Sequence, residues 1–190
     1  MLDFVVCILL VPILVPLFVL CALVIRLDSP GPIFIRQHRT GRDGKRFTMF
    51  KFRTMVKNAE ELKPLLAHLN VLPPPDFKIP NDPRITRVGK FLRRTSLDEF
   101  PQLLNVIRGE MTLVGPRPTS FSPDTYDLWH TYRLEVTPGI TGLWQLRGRS
   151  KTSLDERLRL DIEYIDHRSL ALDLKILVET LPAIARRSGV

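Results

Sequence analysis

Cysteine is nearly absent: the 190-residue chain has two, Cys7 and Cys21, both inside one apolar run. A disulfide framework is therefore excluded and a reduced location is expected. The four histidines (His38, His68, His130 and His167) stand at no metal-ligand spacing to one another or to a cysteine pair, which argues against zinc. Acidic residues are the scarcer charge. Asp+Glu 20 against Lys+Arg 28 gives +8, so the expected partner is anionic: nucleic acid, a phosphorylated substrate or an acidic membrane surface. No nucleic-acid recognition motif appears and the basic residues lie close to the apolar run, so no nucleic acid is expected. No internal repeat is visible. The length and the 44% apolar content suit one domain with a buried core.

The most conspicuous feature is Phe4 to Ile25, 22 consecutive residues without a charge. A straight helix of that length covers about 30 Å of hydrocarbon. The run is too long for a signal peptide or a core helix, and neither a basic leader nor a small-residue cleavage site accompanies it. Pro12 and Pro16 each remove a backbone donor and clash with the preceding turn, so a sharp bend near the middle is expected. Two topologies fit: a kinked spanning helix, or a re-entrant one that enters and leaves by the same face. Arg26, Arg36, Arg39, Arg42, Lys45, Arg46, Lys51, Arg53 and Lys57 follow the run against only Asp28 and Asp43, which places the rest of the chain in the cytoplasm.

After a turn at Ser29 to Pro32, the stretches PIFIRQ and RFTMFKFRTM flank TGRDGK, whose Asp43-Gly44 pair signals a hairpin. Helical patterns follow at Asn58 to Leu69 with an interruption at Pro64, at Val88 to Arg94, and at Asp98 to Arg108 closed by Gly109. Others cover Ser122 to Leu134, Ser153 to Ile165 with a Ser153/Glu156 capping box, and Leu170 to Arg187. LPPPDFKIPNDP and TLVGPRP read as loops, and sixteen prolines against a usual ~5% imply much ordered loop. The class is α+β with a small antiparallel hairpin. The division expected is a membrane-embedded helix over residues 1–27 and a cytoplasmic domain over 28–190. Leu170 to Ile184 is apolar on most faces yet charged, so it should lie along the bilayer surface or against the domain.

The central chemical candidate is Asp98-Glu99. One carboxylate can attack phosphorus while its neighbour holds a metal or takes a proton. A purely structural reading competes, because Ser96-Leu97-Asp98-Glu99 also spells a capping box whose acids complement a helix dipole. Arg93 and Arg94 precede the pair, and Arg117 sits between two prolines in the following loop, where it could grip phosphate oxygens bidentately. Lys51 and Arg53 could join the same anion site. Each of these cations is individually also readable as a solvated charge or a lipid-headgroup contact. A further cluster, Arg147-Gly148-Arg149, follows PGITGLWQL, where Gly139 and Gly142 allow close backbone approach and Trp144 could stack on a base or pack in the core.

These pieces together resemble the bacterial sugar transferases, the monotopic polyprenyl-phosphate phosphoglycosyl transferases that start glycan assembly on a lipid carrier. The matching segments, in order, are the apolar run ending in LDSPGPIFIRQHRTGRDGKRFTMFKFRTM, then FKIPNDPRITRVGKFLRRTSLDEFPQLLNVIRGEMTLVGPRP, YRLEVTPGITGLWQLRGRS and DIEYIDHRSLALDLKIL. The resemblance implies transfer of a sugar 1-phosphate from a UDP-sugar to a polyprenyl phosphate at the cytoplasmic face of a bacterial inner membrane. In it Asp98 attacks the sugar-linked phosphate, UMP leaves, and Glu99 binds Mg²⁺ and assists the second attack. Arg93 and Arg117 match positions that hold phosphate oxygens. A re-entrant helix bent at Pro16 is also implied. The chain departs from the pattern in having Val15 where many members have Ser, in its additional Pro12, and in lacking basic residues before the helix, as a shortened member or the catalytic part of a longer one would. GLWQLRGRS looks closer to members that take neutral hexoses than to those that take N-acetylated amino sugars. A competing reading of a different class is a non-catalytic basic membrane scaffold on anionic lipid, which leaves the paired acids among arginines without a purpose.

Overall fold

A computed structural model describes residues 2–72, 77–121, 128–147 and 153–186. Helix α1 spans Leu2–Asp28 and stays helical through Pro12 and Pro16. Its exposed side chains include Leu9, Ile13, Val19 and Leu23, an apolar surface that water does not favour and lipid does. Both ends of α1 dock on the same domain. Near its start Cys7 is buried with Met49, Val106, Met111 and Ile176, and the Thr112 hydroxyl donates to Asp3. Near its end Cys21 and Ile25 pack with Phe52 and Leu92, and the Asp28 carboxylate accepts the Val88 amide at 3.2 Å.

Strands β1 (Phe34–Thr40) and β2 (Arg46–Phe52) form the expected antiparallel hairpin, with Ile35 opposite Lys51, Gln37 opposite Met49 and Arg39 opposite Phe47. Its turn, Arg42–Gly44, takes two left-handed residues, Asp43 (φ 56°) and Gly44 (φ 72°), the conformation that made Asp-Gly a hairpin signal. Side chains alternate across a strand, so the odd-numbered residues share one face. That face buries Met49 and carries Lys51 and Arg39 towards the domain interior. The other face presents Phe52 between Phe34 (ring centroids 5.3 Å) and Phe18 of α1 (5.1 Å).

Two short helical pieces follow, α2 (Ala59–Leu62) and a 3₁₀ turn at Ala67–Leu69, either side of Pro64 as expected. Helix α3 (Arg87–Thr95) is capped by the Thr86 hydroxyl, which accepts the Gly89 amide at 3.0 Å. The helix expected from Asp98 is a six-residue 3₁₀ segment, Leu97–Gln102, running into α4 (Leu103–Ile107). Asn105, fully buried, takes the Phe50 amide and donates to the Thr48 carbonyl, tying α4 to the edge of β2.

A second sheet was not expected from sequence. β3 (Thr112–Val114) and β4 (Gly139–Thr141) pair in parallel; the first falls in TLVGPRP, expected as a loop, and the second in PGITGLWQL, to which the sequence assigns no element. A Cβ on Gly139 would lie 2.1 Å from the Gly115 amide nitrogen, so only glycine admits the two backbones at this spacing. The 3₁₀ segment Leu128–Glu135, α5 (Leu143–Arg147), α6 (Leu154–His167) and α7 (Leu170–Arg186) complete the domain. Residues 122–127 of the expected helix at Ser122, and Gly148 with Arg149, lie outside the described residues. Ser153 and Glu156 form the expected capping box. Helix α7 packs against α5, β3 and β4 and leaves Leu170, Leu174, Val178 and Leu181 exposed. The chain is thus α+β, with an apolar surface contributed by α1 and α7.

Candidate active site

The Asp98-Glu99 pair is placed by an abrupt reversal. α3 ends at Thr95 and Ser96 takes the left-handed conformation (φ 56°, ψ 16°), which turns the chain into the 3₁₀ segment. The Ser96 side chain makes no cap hydrogen bond, so the capping box does not form. Glu99 is instead engaged by two cations. Its Oε1 accepts from Lys51 Nζ at 2.9 Å and from Arg117 Nη2, and its Oε2 accepts from Arg117 Nη1 at 3.1 Å. A carboxylate kept only to complement a dipole has no need of a lysine brought from β2 and an arginine brought from the loop after β3. Nor is the dipole of a six-residue 3₁₀ turn and five-residue α4 a strong source of charge stabilisation, contrary to expectation.

The electrostatics separate the two acids. Burial by itself raises the Glu99 carboxyl, but Arg117 and Lys51 outweigh it and hold the group well below the ordinary carboxylate range. Burial raises Asp98 above its ordinary value, with the Glu99 charge adding to it, and Lys51, Arg93 and Arg117 pull in the opposite direction. Asp98 makes no side-chain hydrogen bond or ion pair with the described residues. One acid is locked in an ionic clamp and its neighbour is uncommitted, a division of labour that paired catalytic carboxylates need.

The remaining candidates separate clearly. Arg117 is fixed twice, by its guanidinium on Glu99 and by its carbonyl, which accepts from Arg133 Nη2. Arg133 is in turn paired with the buried Asp161 at 2.6 Å. Arg93 Nε donates to the Thr54 hydroxyl at 2.9 Å and its charge acts on Asp98. Arg53 does not join them. It is buried and donates to the carbonyls of Ile25, Ser29 and Pro30 at 3.4, 2.8 and 2.6 Å. β2 ends at Phe52, so the two-residue alternation that would align Arg53 with Lys51 stops one residue short, and Arg53 satisfies the open carbonyls at the end of α1. Arg94 is exposed on α3, with no hydrogen bond or ion pair to the described residues. Arg147 pairs with Glu163 of α6 at 2.6 Å on the surface. Sequence reasoning missed Arg39, Arg133 and Asp161. Arg39 was detectable, since it shares odd parity with Lys51 across a three-residue turn.

A cavity of about 290 Å³ opens beside the pair. Leu10 and Leu14 of α1, Phe100, Leu103, and Leu177 and Leu181 of α7 form its apolar walls, and Glu99 and Arg117 are its charged lining residues. A larger groove, about 710 Å³, lies elsewhere, between the start of α1 and Tyr164, and none of Lys51, Asp98, Glu99 or Arg117 lines it.

The bacterial sugar transferase family matches residues 1–187. The chain is 46% identical over 164 residues to undecaprenyl-phosphate galactose phosphotransferase of Salmonella typhimurium, covering 84% of this chain and 34% of that protein. To galactosyl transferase CpsE of Streptococcus agalactiae it is 44% identical over 167 residues, 87% of this chain and 37% of the relative. To UDP-glucose:undecaprenyl-phosphate glucose-1-phosphate transferase of Caulobacter vibrioides it is 42% identical over 192 residues, 96% and 68% respectively. The chain thus spans about a third of the length of the first two relatives.

Proposed function

The chain belongs to the bacterial sugar transferase family, and from that premise we propose that it transfers a hexose 1-phosphate from a UDP-hexose to undecaprenyl phosphate, releasing UMP. The observation that carries this reading is an uncommitted Asp98 next to a clamped Glu99, whose carboxylate and its partner Arg117 line a largely apolar cavity walled by α1 and α7. An amphiphile with a phosphate head and a prenyl tail suits a cavity whose walls are mostly apolar and whose charged lining is Glu99 and Arg117. The neutral hexose follows the sugars named for the three relatives and the likeness of GLWQLRGRS.

An Asp98 carboxylate oxygen attacks the sugar-linked phosphorus. The bond from that phosphorus to the bridging oxygen breaks, and its electron pair leaves with UMP. The acyl phosphate formed keeps the phosphosugar activated. An oxygen of undecaprenyl phosphate, entering from the apolar side, then attacks the same phosphorus and regenerates the Asp98 carboxylate. Arg117, pinned at its carbonyl and its guanidinium, and Arg93 at the end of α3 supply fixed positive charge to the transferring group. The membrane side of the reaction is the cytoplasmic face of the inner membrane, as the basic flank of α1 directs.

Among the described residues no cluster of three or more His, Cys, Asp or Glu could hold a metal by itself. The donor chemistry still fits Mg²⁺ in company with substrate. Glu99 Oε1 is occupied by Lys51 and Arg117, whereas Oε2 accepts once and retains a lone pair. Mg²⁺ is commonly held by one or two carboxylates plus substrate phosphates. Glu99 Oε2 is the ligand we propose, and the ion would neutralise charge on the donor diphosphate. Because Lys51 and Arg117 repel a cation, Mg²⁺ should bind only with the donor present; tight binding to the protein alone would contradict this.

The test is a panel of UDP-sugars incubated with the purified protein, undecaprenyl phosphate and Mg²⁺, reading UMP. UDP-galactose or UDP-glucose should give UMP and Asp98→Asn should give none. Absence of UMP from every donor would overturn the reading in favour of a basic membrane scaffold.

A further inference from the structure

A second cavity, of about 160 Å³, shares Arg117 with the apolar one and none of its other walls. Arg39, Arg133, Arg157 and Asp161 line it with Trp144 and Leu154. Arg133 is compensated by Asp161 and Arg117 by Glu99. Arg157 lies over the Trp144 ring at 5.8 Å. Asp161 is the one carboxylate among the described residues that line this cavity, so the guanidiniums of Arg39, Arg117, Arg133 and Arg157 are offset there only in part.

Arg39 is the anomaly. It reaches the interior from the odd face of β1 and donates to Gln37 Oε1 at 2.8 Å. Its Nε is buried with no hydrogen-bond partner, and it pairs with no carboxylate among the described residues. Burial, with Arg117 and Arg46 adding to it, lowers its pKa to about 10. A half-buried guanidinium with an unsatisfied Nε, facing like charge, is a costly arrangement that a bound anion relieves. It also stands where the charge of Glu99 and Arg117 is felt, on the arginine-lined side of the site and not the apolar one.

We propose that this cavity is the subsite for the nucleotide half of the donor, with Arg39 and Arg117 holding the phosphate that departs in UMP. The assignment rests on the reading of the donor as a UDP-sugar. As the Asp98 oxygen bonds to the sugar-linked phosphorus, the bridging oxygen takes the electron pair and becomes part of the UMP phosphate, without needing a proton. Arg39 faces that growing charge with a fixed donor. Trp144 and Leu154 offer the apolar wall against which the nucleoside rests. Donor and acceptor therefore approach Arg117 from separate cavities, and the acceptor lipid makes no demand on Arg39.

Arg39→Gln tests this, with Arg39→Lys as partial rescue and Trp144→Ala as a second probe, each checked for folding by circular dichroism. Labelled UMP is titrated against each variant in an Asp98→Asn background, where no turnover interferes. Arg39→Gln should weaken UMP binding about tenfold or more, Arg39→Lys less. Inorganic phosphate, used as a second ligand, should lose affinity with Arg39→Gln and not with Trp144→Ala, whereas UMP should lose affinity with both. In turnover, Arg39→Gln should raise KM for the UDP-sugar and leave KM for undecaprenyl phosphate within about twofold. A folded Arg39→Gln protein that binds UMP as wild type does overturns the subsite, as does a rise confined to the acceptor KM. If wild type releases no UMP from any UDP-sugar yet binds UMP in an Arg39-dependent way, the subsite stands and the transfer reading falls.

Discussion

Glu99→Gln separates a structural carboxylate from a merely adjacent one. The substitution keeps size but strips the charge that compensates Lys51 and Arg117, whose side chains are 12% and 30% exposed. Breaking a buried pair costs about 3–5 kcal/mol. Partial exposure of Arg117 and relief of the repulsion on Asp98 reduce this to roughly 2–3 kcal/mol. In a domain of this size each kcal/mol moves Tm by about 2–4 °C, so the expected loss is about 4–12 °C near neutral pH. The sign of the pH dependence follows from the folded-state shift. The folded carboxyl lies below its ordinary value of 4.5, so its contribution is present above that value and is lost as pH falls towards the folded pKa. The gap in Tm between wild type and Glu99→Gln should therefore narrow as pH falls below 4.5. Thermal unfolding of both proteins from pH 7 to pH 3 measures it. Equal Tm at pH 7, or a gap that widens in acid, would refute the ionic clamp.

Lys51→Met removes one of the cations that lower the Asp98 carboxyl, so the acid limb of kcat/KM should move to higher pH; a limb that stays in place would show Lys51 does not act on Asp98. Phe52→Ala empties the space between Phe18 and Phe34 and should cost about 3–5 kcal/mol in denaturant unfolding. Arg53→Ala frees the carbonyls at the end of α1, so it should lower stability while leaving the KM for UDP-sugar unchanged, and a raised KM would return Arg53 to the site.

Legibility in the sequence depended on the range of the interaction that places each residue. The hairpin, the Ser153/Glu156 cap and the long apolar helix are written in consecutive residues, and each is present. Ser96 and Glu99 spelled an equally good local motif that does not form, because Lys51 and Arg117, 48 and 18 residues distant, compete for the carboxylate and win. The β3/β4 pair was invisible for the same reason: three-residue strands on either side of the Leu128–Glu135 segment leave no alternating pattern, and only the glycines at 115 and 139 record their contact. Arg53 was misplaced by one residue of strand length. Arg39 was overlooked because its importance lies in the register it shares with Lys51 across the hairpin, which is read from the opposite strand and not from its own neighbours.

The central claim is that Asp98 carries the phosphosugar covalently. Wild-type protein is given a UDP-hexose labelled in the sugar, with Mg²⁺ and no lipid acceptor, then quenched and separated from free donor. Label should remain on the protein in wild type, be absent in Asp98→Asn, and pass to undecaprenyl phosphate when that lipid is added before the quench. An active preparation that holds no label, or an Asp98→Asn protein that turns over near the wild-type rate, would mean direct transfer between the two substrates and would leave Asp98 without its assigned role.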